Sequence, residues 1–412
     1  LISILLVSGA PAAGAPDEGA PRRPQPAGVQ PDTELSSALE NAETTAELFA
    51  VKERFASVQP DAAAPEGSQA RQAALVAAGD LVEMSGYDGV VTAAISRTAS
   101  PSAFEAAKRS VTAARGRVAT AVVRSSMTRA ELSATKVRLA ELYEKYASPG
   151  DGMSYSFDAA KDVVVVKGKL SPSLVARLKE IGHVRVEVDS SAEFTRDQGE
   201  RYADSGPWHY GNAWIRNYRH GGSCSSGFTM NGPNNSGGYS VTAGHCGNSF
   251  DDFYSGEHFY GELQRAPYPT FDLGKITCCG QQYGKNIYTG QWVFRAQVTA
   301  FDPGLGKPGN NGACVSGQET RQEFCDLRVV SLSAVFCDTA GCTANLMEYR
   351  RDDGVRVTVG GDSGAAVYSL NAGNAQVHGM HIGSGTFSGG RTQFAEKYST
   401  IQRYYGGGLR TW

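Results

Sequence analysis

The chain has 412 residues and a formal net charge of -3 at pH 7. That length suggests two or three domains, and so small a net charge gives no footprint for nucleic acid or an anionic membrane surface. Composition divides the chain: residues 1–200 hold 14 of the 49 glycines and no cysteine, and residues 201–412 hold 35 glycines and all eight cysteines. An alanine-rich half with helix-forming charged residues, followed by a half rich in Gly, Tyr, Thr and Ser, predicts an α-rich portion and then an all-β one.

Leu1-Ile-Ser-Ile-Leu-Leu-Val7 is followed by small residues ending in Ala13-Gly14-Ala15. An apolar core before an A-x-A pattern predicts a truncated secretory signal over 1–15; the run is too short to span a bilayer. Residues 16–33, rich in Pro, Ala and Gly, read as a linker. Helical spacing of leucines and alanines follows from Leu35 to Val58, with further helices expected near 71–84 and 103–124. The best-marked helix starts at Thr128-Arg-Ala-Glu131, a capping-box pattern, and stops before Pro149-Gly150. The period then changes. Tyr155-Ser-Phe157 and Asp162 to Val166 read as a hairpin, Ser171-Pro172 opens a helix to about Ile181, and Val184 to Val188 alternates as a strand.

The second half reads as short strands between glycine, asparagine and proline clusters: Tyr239–Thr242, Trp292–Phe294, Gln297–Phe301, Leu327–Val330, Gly364–Tyr368 and Gln376–His378. Such spacing predicts a pair of Greek-key barrels. Phe394, Tyr398 and Ile401 at helical spacing predict a closing helix within Gln393–Tyr405.

Three motifs carry chemistry. Gly360-Gly-Asp-Ser-Gly-Ala365 frames Ser363 with small residues, Thr242-Ala-Gly-His-Cys246 supplies His245, and Phe271-Asp-Leu-Gly274 sets Asp272 between apolar neighbours. A serine hydroxyl becomes a nucleophile when an imidazole takes its proton and a carboxylate holds that imidazole in one tautomer. An imidazole ordinarily titrates near neutrality, which suits the role of general base and then acid proposed for His245. Asp251 and Asp252 compete for the carboxylate role but lie in a polar run and read as a solvated loop. His209, His220 and His258, in turn-rich sequence, read as surface residues. Gly361 and Ser363 are placed to offer two N–H donors as an oxyanion hole.

The order His, Asp, Ser is that of the chymotrypsin-type proteases. From about 205 to 412 the chain resembles secreted bacterial serine proteases of the streptogrisin and alpha-lytic branch. The resemblance rests on Cys224-Ser-Ser-Gly-Phe228 before Thr242–Cys246, Cys314-Val-Ser-Gly317 before Cys325, Gly361-Asp-Ser-Gly364, and Gly379-Met-His-Ile-Gly383. It implies two trypsin-like β-barrels with a C-terminal helix over 201–412, and a pro-region over 34–200 ending in a β-β-α-β unit. It also implies that Asp362 is buried in a salt bridge and that Met380, His381, Ile382, Gly383 and Ser384 line the substrate cleft. Ala365 and Ala366 depart from the usual residues after the serine corner. His381 and Ser384 suggest acceptance of an acidic side chain, a medium-sized apolar pocket being the competing reading.

With an export signal, eight cysteines favour disulfides over metal ligands. Cys224–Cys246, Cys314–Cys325 and Cys337–Cys342 are the expected pairs, while Cys278-Cys279 could bond to each other, stay reduced or pair elsewhere. No C-x-x-C pair supports a zinc site. The expectation is a secreted serine endopeptidase made as a precursor, with no cofactor and no metal. Protein or peptides are its substrates, and its own pro-region serves as folding aid and inhibitor. Neither nucleic acid nor, after signal removal, a membrane is expected as a partner. An inactive protease-fold binding protein and an esterase are the rival readings. The junction between the halves is expected between about Ser190 and Gly211.

Overall fold

The computed structural model describes residues 30–42, 44–56, 80–87, 90–114, 119–195, 204, 208–289, 294–301, 312–387 and 390–411. The expected signal, nearly all of the linker and the strand at Trp292–Phe294 lie outside the described residues, apart from their edges. No helix among the described residues is long and apolar enough to cross a membrane.

The N-terminal half begins with two helices where one long pattern was expected: α1 (Thr33–Glu40), capped by the Asp32 side chain on Leu35 N, and α2 (Thr45–Ala56). Two β-β-α-β units follow. In the first, β1 (Leu81–Tyr87) pairs antiparallel with β2 (Val90–Ile95), α3 spans Pro101–Ala114, and β3 (Ala119–Arg124) runs parallel to β2. The second repeats this order: β4 (Gly152–Asp158) antiparallel to β5 (Val163–Lys169), then α5 (Pro172–Leu178), then β6 (Val184–Val188) parallel to β5. Between them α4 (Arg129–Tyr146) carries the expected capping box, Thr128 accepting from Glu131 N while the Glu131 side chain accepts from Thr128 N. The helices expected near 71–84 and 103–124 are therefore corrected: the described end of the first, from Leu81, belongs to strand β1, and the second gives way to β3. Both α3 and α5 open on Ser-Pro-Ser, where proline's fixed φ suits the first helical turn.

Among the described residues the C-terminal half is β-rich with one closing helix, the all-β class that the sequence predicted. Eight strands between Trp214 and Leu409 form one sheet, and the rest of the half builds a second, thirteen-stranded sheet together with β4, β5, β6 and Glu193–Thr195. Residues 393–397, expected at the start of the closing helix, belong instead to a strand, Gly390–Lys397; α6 spans Tyr398–Tyr405.

The halves share sheet and core. Strand β4 pairs antiparallel with Phe324–Asp338, matching Val335 to Tyr155, so the second β-β-α-β unit extends the C-terminal sheet by three strands. One buried cluster combines Leu132, Leu139, Tyr155 and Leu174 of the first half with Val335 and Ala344 of the second. Further along, Glu193–Thr195 lies antiparallel on the strand Asn374–Phe387, pairing Thr195 with Ser384 and Phe194 with Gly385. Phe194 packs edge-on to Phe387 at 5.6 Å between ring centres.

Candidate active site

Strand Gly238–Thr242 ends in a tight 3-10 turn, Gly244–Cys246, that carries His245. A Cβ at Gly244 would stand 2.9 Å from Leu273 N, so glycine lets this turn approach the Asp272 segment. Asp272 is fully buried. Its Oδ1 accepts the His245 backbone N–H at 2.8 Å, and Nδ1 of the ring lies 2.8 Å from Oδ2 and 3.1 Å from Oδ1. A carboxylate only accepts, so the ring proton sits on Nδ1 and Nε2 is left as the acceptor. Nε2 is buried and makes no hydrogen bond among the described residues.

Ser363 stands in a buried turn between Gly361, at φ +106°, and Gly364, at φ +94°. These left-handed values favour glycine. A Cβ at Gly364 would come within 2.0 Å of Ser225 O and 2.5 Å of Thr242 Oγ1, so the serine turn lies directly against the strand leading to His245. Ser225 is the hinge between the two corners. Its N–H donates to Ser363 O at 2.7 Å, its hydroxyl to Gly361 O at 3.0 Å, and its carbonyl accepts from Thr242 Oγ1 at 2.9 Å. The N–H groups of Gly361 and Ser363 donate no hydrogen bond among the described residues. The Ser363 hydroxyl donates to Ile382 O at 3.0 Å. Histidine and carboxylate are thus joined directly, whereas no hydrogen bond joins Ser363 to His245.

Asp362 differs from the expectation. It is fully buried, yet no ion pair within 4.0 Å holds it among the described residues; three backbone N–H groups serve it, and the His381 ring acts on it only through its charge. Oδ1 accepts from Glu319 at 2.9 Å and Thr320 at 3.1 Å, and Oδ2 from Val359 at 2.8 Å. Burial outweighs those bonds and pushes its carboxyl up to about 6. Asp251 is likewise corrected, being 1% exposed and bonded to Asn217 Nδ2 and Asn248 N rather than solvated. His209, read as a surface residue, is buried with its ring 4.4 Å from that of Tyr260.

Met380, His381, Ile382, Gly383 and Ser384, expected to line the substrate cleft, lie on one strand and are all buried. The His381 backbone brackets the serine turn, its N–H bonding Ala365 O and its carbonyl accepting from Gly364 N. Nδ1 of its ring meets the buried Tyr349 hydroxyl at 2.9 Å. Tyr349 had no local signal in the sequence. It sits in a strand of ordinary alternation, 32 residues away.

The structure joins Cys224 to Cys246, Cys314 to Cys325 and Cys337 to Cys342, and bonds Cys278 to its neighbour Cys279. Cys224, His245 and Cys246 place ligand-type atoms within 4.8 Å of one another, but both sulfurs are tied in a disulfide.

No protein-family model and no curated protein matches the chain. Solved structures similar to it over about half of the chain include several proteases. A Nocardiopsis protease is 20% identical, with a TM-score of 0.39, over 49% of this chain and 98% of its own. Thermobifida fusca protease A is 19% identical, with a TM-score of 0.39, over 48% and 97%. A third is described as a glutamic-acid-specific serine protease that uses a histidine triad in substrate binding. It is 20% identical, with a TM-score of 0.40, over 48% of this chain and all of its own.

Proposed function

We propose that the chain is the precursor of a secreted serine endopeptidase, with residues 34–200 as pro-region and 201–412 as the catalytic domain. The observation carrying this reading is the buried Asp272 that grips His245 through both its ring and its backbone, with Ser363 in the adjoining turn. Asp272 fixes the tautomer, so that Nε2 takes the Ser363 proton once the hydroxyl turns away from Ile382 O. The oxygen then attacks the peptide carbonyl, and the Gly361 and Ser363 N–H groups receive the developing oxyanion. His245 returns the proton to the leaving amine, and water hydrolyses the acyl-enzyme by the same route.

The N-terminal half supports the precursor reading through its position. Glu193–Thr195 occupies the edge of the cleft strand beside Ser384, where a substrate backbone would pair, and so blocks it. Asp204 already belongs to the catalytic half, its N–H bonding Ser255 Oγ at 2.6 Å. The cleaved bond accordingly falls between these two points. His381, held by Tyr349, and Ser384 favour an acidic side chain before the scissile bond; equal cleavage after Phe, Leu and Glu in a peptide library would end that part of the reading.

The deciding experiment compares secreted wild-type chain with Ser363→Ala. The wild type should be processed, cleave peptides and react at Ser363 with a fluorophosphonate, while the alanine chain stays full length. A processed wild-type chain that neither labels nor cleaves peptides would overturn the assignment in favour of an inactive binding protein. Turnover of short esters alone would point to an esterase.

A further inference from the structure

Against the backbone of Asp272 lies a buried ionic cluster drawn from both halves of the chain. Lys52 on α2 is 1% exposed. Its ammonium donates to Glu396 Oε1 at 2.6 Å and to Thr270 O at 2.8 Å, and it stands 4.7 Å from the Phe271 ring centre. The same Glu396 oxygen accepts the Asp272 backbone N–H at 2.9 Å. Glu396 is fully buried. A continuous path therefore runs from Lys52, in the N-terminal half, through one carboxylate oxygen to the residue that holds His245.

The other charged and titratable groups facing this pair come from every packed element. They are Glu53 on α2, Glu83 on β1, Arg129 and Lys136 on α4, Lys397 beside Glu396, Tyr405 on α6, and Asp272 itself. Lys136 binds Glu83 at 2.8 Å, and Lys397 binds Leu332 O and Asn345 Oδ1, each at 2.7 Å. Those two cations are engaged elsewhere. Lys52 is the cation in hydrogen-bond contact with Glu396, and a buried carboxylate without such a partner takes up a proton rather than stay charged. Burial indeed drives Glu396 toward its neutral form and Lys52 toward its own, while each opposes that drift in the other.

We propose that Glu396 is a positioning residue for Asp272, and that Lys52, contributed by the N-terminal half, is the cation that keeps Glu396 ionised. This rests on the protease reading. It adds that docking of α2 is registered as a charge beside the His245–Asp272 pair, so that the precursor and the processed enzyme hold this pair in different fields. In the precursor an ammonium sits on Glu396; once α2 leaves, solvent takes its place.

The test is an NMR titration of the His245 imidazole in the full-length Ser363→Ala chain, which needs no turnover. Glu396→Gln removes the anion nearest Asp272 and should lower the His245 pKa by about one unit, tenfold in proton affinity. In a Lys52→Met background the same Glu396→Gln change should have almost no further effect, since Glu396 is already neutral there. Lys52→Arg should restore the wild-type titration. Lys136→Met, which removes a different buried cation from the cluster, should leave His245 unmoved. If Lys52→Met fails to fold, Lys52→Gln keeps a donor for Thr270 O and replaces it. An equal Glu396→Gln shift in both backgrounds, no shift in either, or the same response to Lys136→Met would overturn the proposal. Failure of the protease reading would show separately, as absent peptide cleavage and fluorophosphonate labelling with the His245 titration intact.

Discussion

Asp362 makes a sharp prediction because two opposing effects act on one buried carboxyl. Its three backbone N–H donors favour the anion, and complete burial disfavours it. Burial prevails, taking the group from an ordinary 3.8 to about 6. A carboxyl raised in this way binds its proton more tightly in the folded chain than in the unfolded one. Its stabilising contribution is therefore complete below 3.8 and is lost as pH rises through about 6. A difference of that size corresponds to roughly 3 kcal/mol, lost between about pH 4 and 7. Asp362→Asn cannot ionise and should abolish this component. Its amide oxygen can still accept from Glu319 and Thr320, while its NH2 confronts Val359 N–H, so the absolute stability at one pH does not isolate the effect. The slope does. Urea denaturation of Ser363→Ala with and without Asp362→Asn, from pH 4 to 7.5, gives a difference curve in which all other groups cancel. The Asp362 chain should lose roughly 3 kcal/mol relative to Asn across that range. A flat curve, or one in which Asp362 gains with pH, would mean that the N–H bonds outweigh burial and would refute the reasoning.

Three further outcomes follow from the geometry. Asp272→Asn presents an amide to the ring, favours the wrong tautomer and should lower kcat on a peptide substrate by about 10,000-fold with little change in KM; a loss under tenfold would remove Asp272 from the triad. Replacing Cys224 and Cys246 by alanine opens a loop of 22 residues and should cost about 3 kcal/mol of stability by denaturant titration, an unchanged midpoint being the contrary result. N-terminal sequencing of the processed enzyme should give a start after Thr195 and no later than Asp204; a start beyond Tyr210, inside the strand that joins the C-terminal sheet, would be incompatible with this fold.

The sequence was most legible where chemistry depends on near neighbours. His245 and Ser363 announce themselves because the turns that present them need glycine at adjoining positions, as Gly244, Gly361 and Gly364 do in the structure. Asp272 was distinguishable from Asp251 by its apolar flanks, and the structure sets it against His245. Yet Asp251 is buried too, because its partners Asn217 and Asn248 are themselves polar and make the segment look wet. Ala119–Arg124, read as the end of a helix, is a strand: Thr120, Val122 and Val123 are β-branched, and parallel pairing with Val90–Ile95 takes up the segment. His209 was misplaced for a related reason: its flanking residues are turn formers, but its ring reaches back between Tyr260 and Tyr283.

What no local pattern could reveal is charge brought inside by assembly of the two halves. Lys52 and Glu53 lie within a helix-spaced run and Glu396 and Lys397 near the closing segment, with no local pattern marking any of them as buried. They are separated by some 340 residues, and all four are buried where the two halves meet. Lys397 shows the cost: burial, its largest influence, draws its ammonium down to about 7, while Glu53 and Glu396 act in the other direction. A group placed so titrates where the unfolded chain remains fully protonated. With a folded pKa depressed below 10.5, Lys397 destabilises the joined halves increasingly as pH falls from about 10.5 to about 7. Lys397→Met in the Ser363→Ala chain should therefore flatten the pH dependence of stability on the alkaline side of neutrality. An unaltered profile would place the proton elsewhere in the cluster, on Glu53 or Glu396, and would mean that the buried charges are shared differently across the seam between the halves.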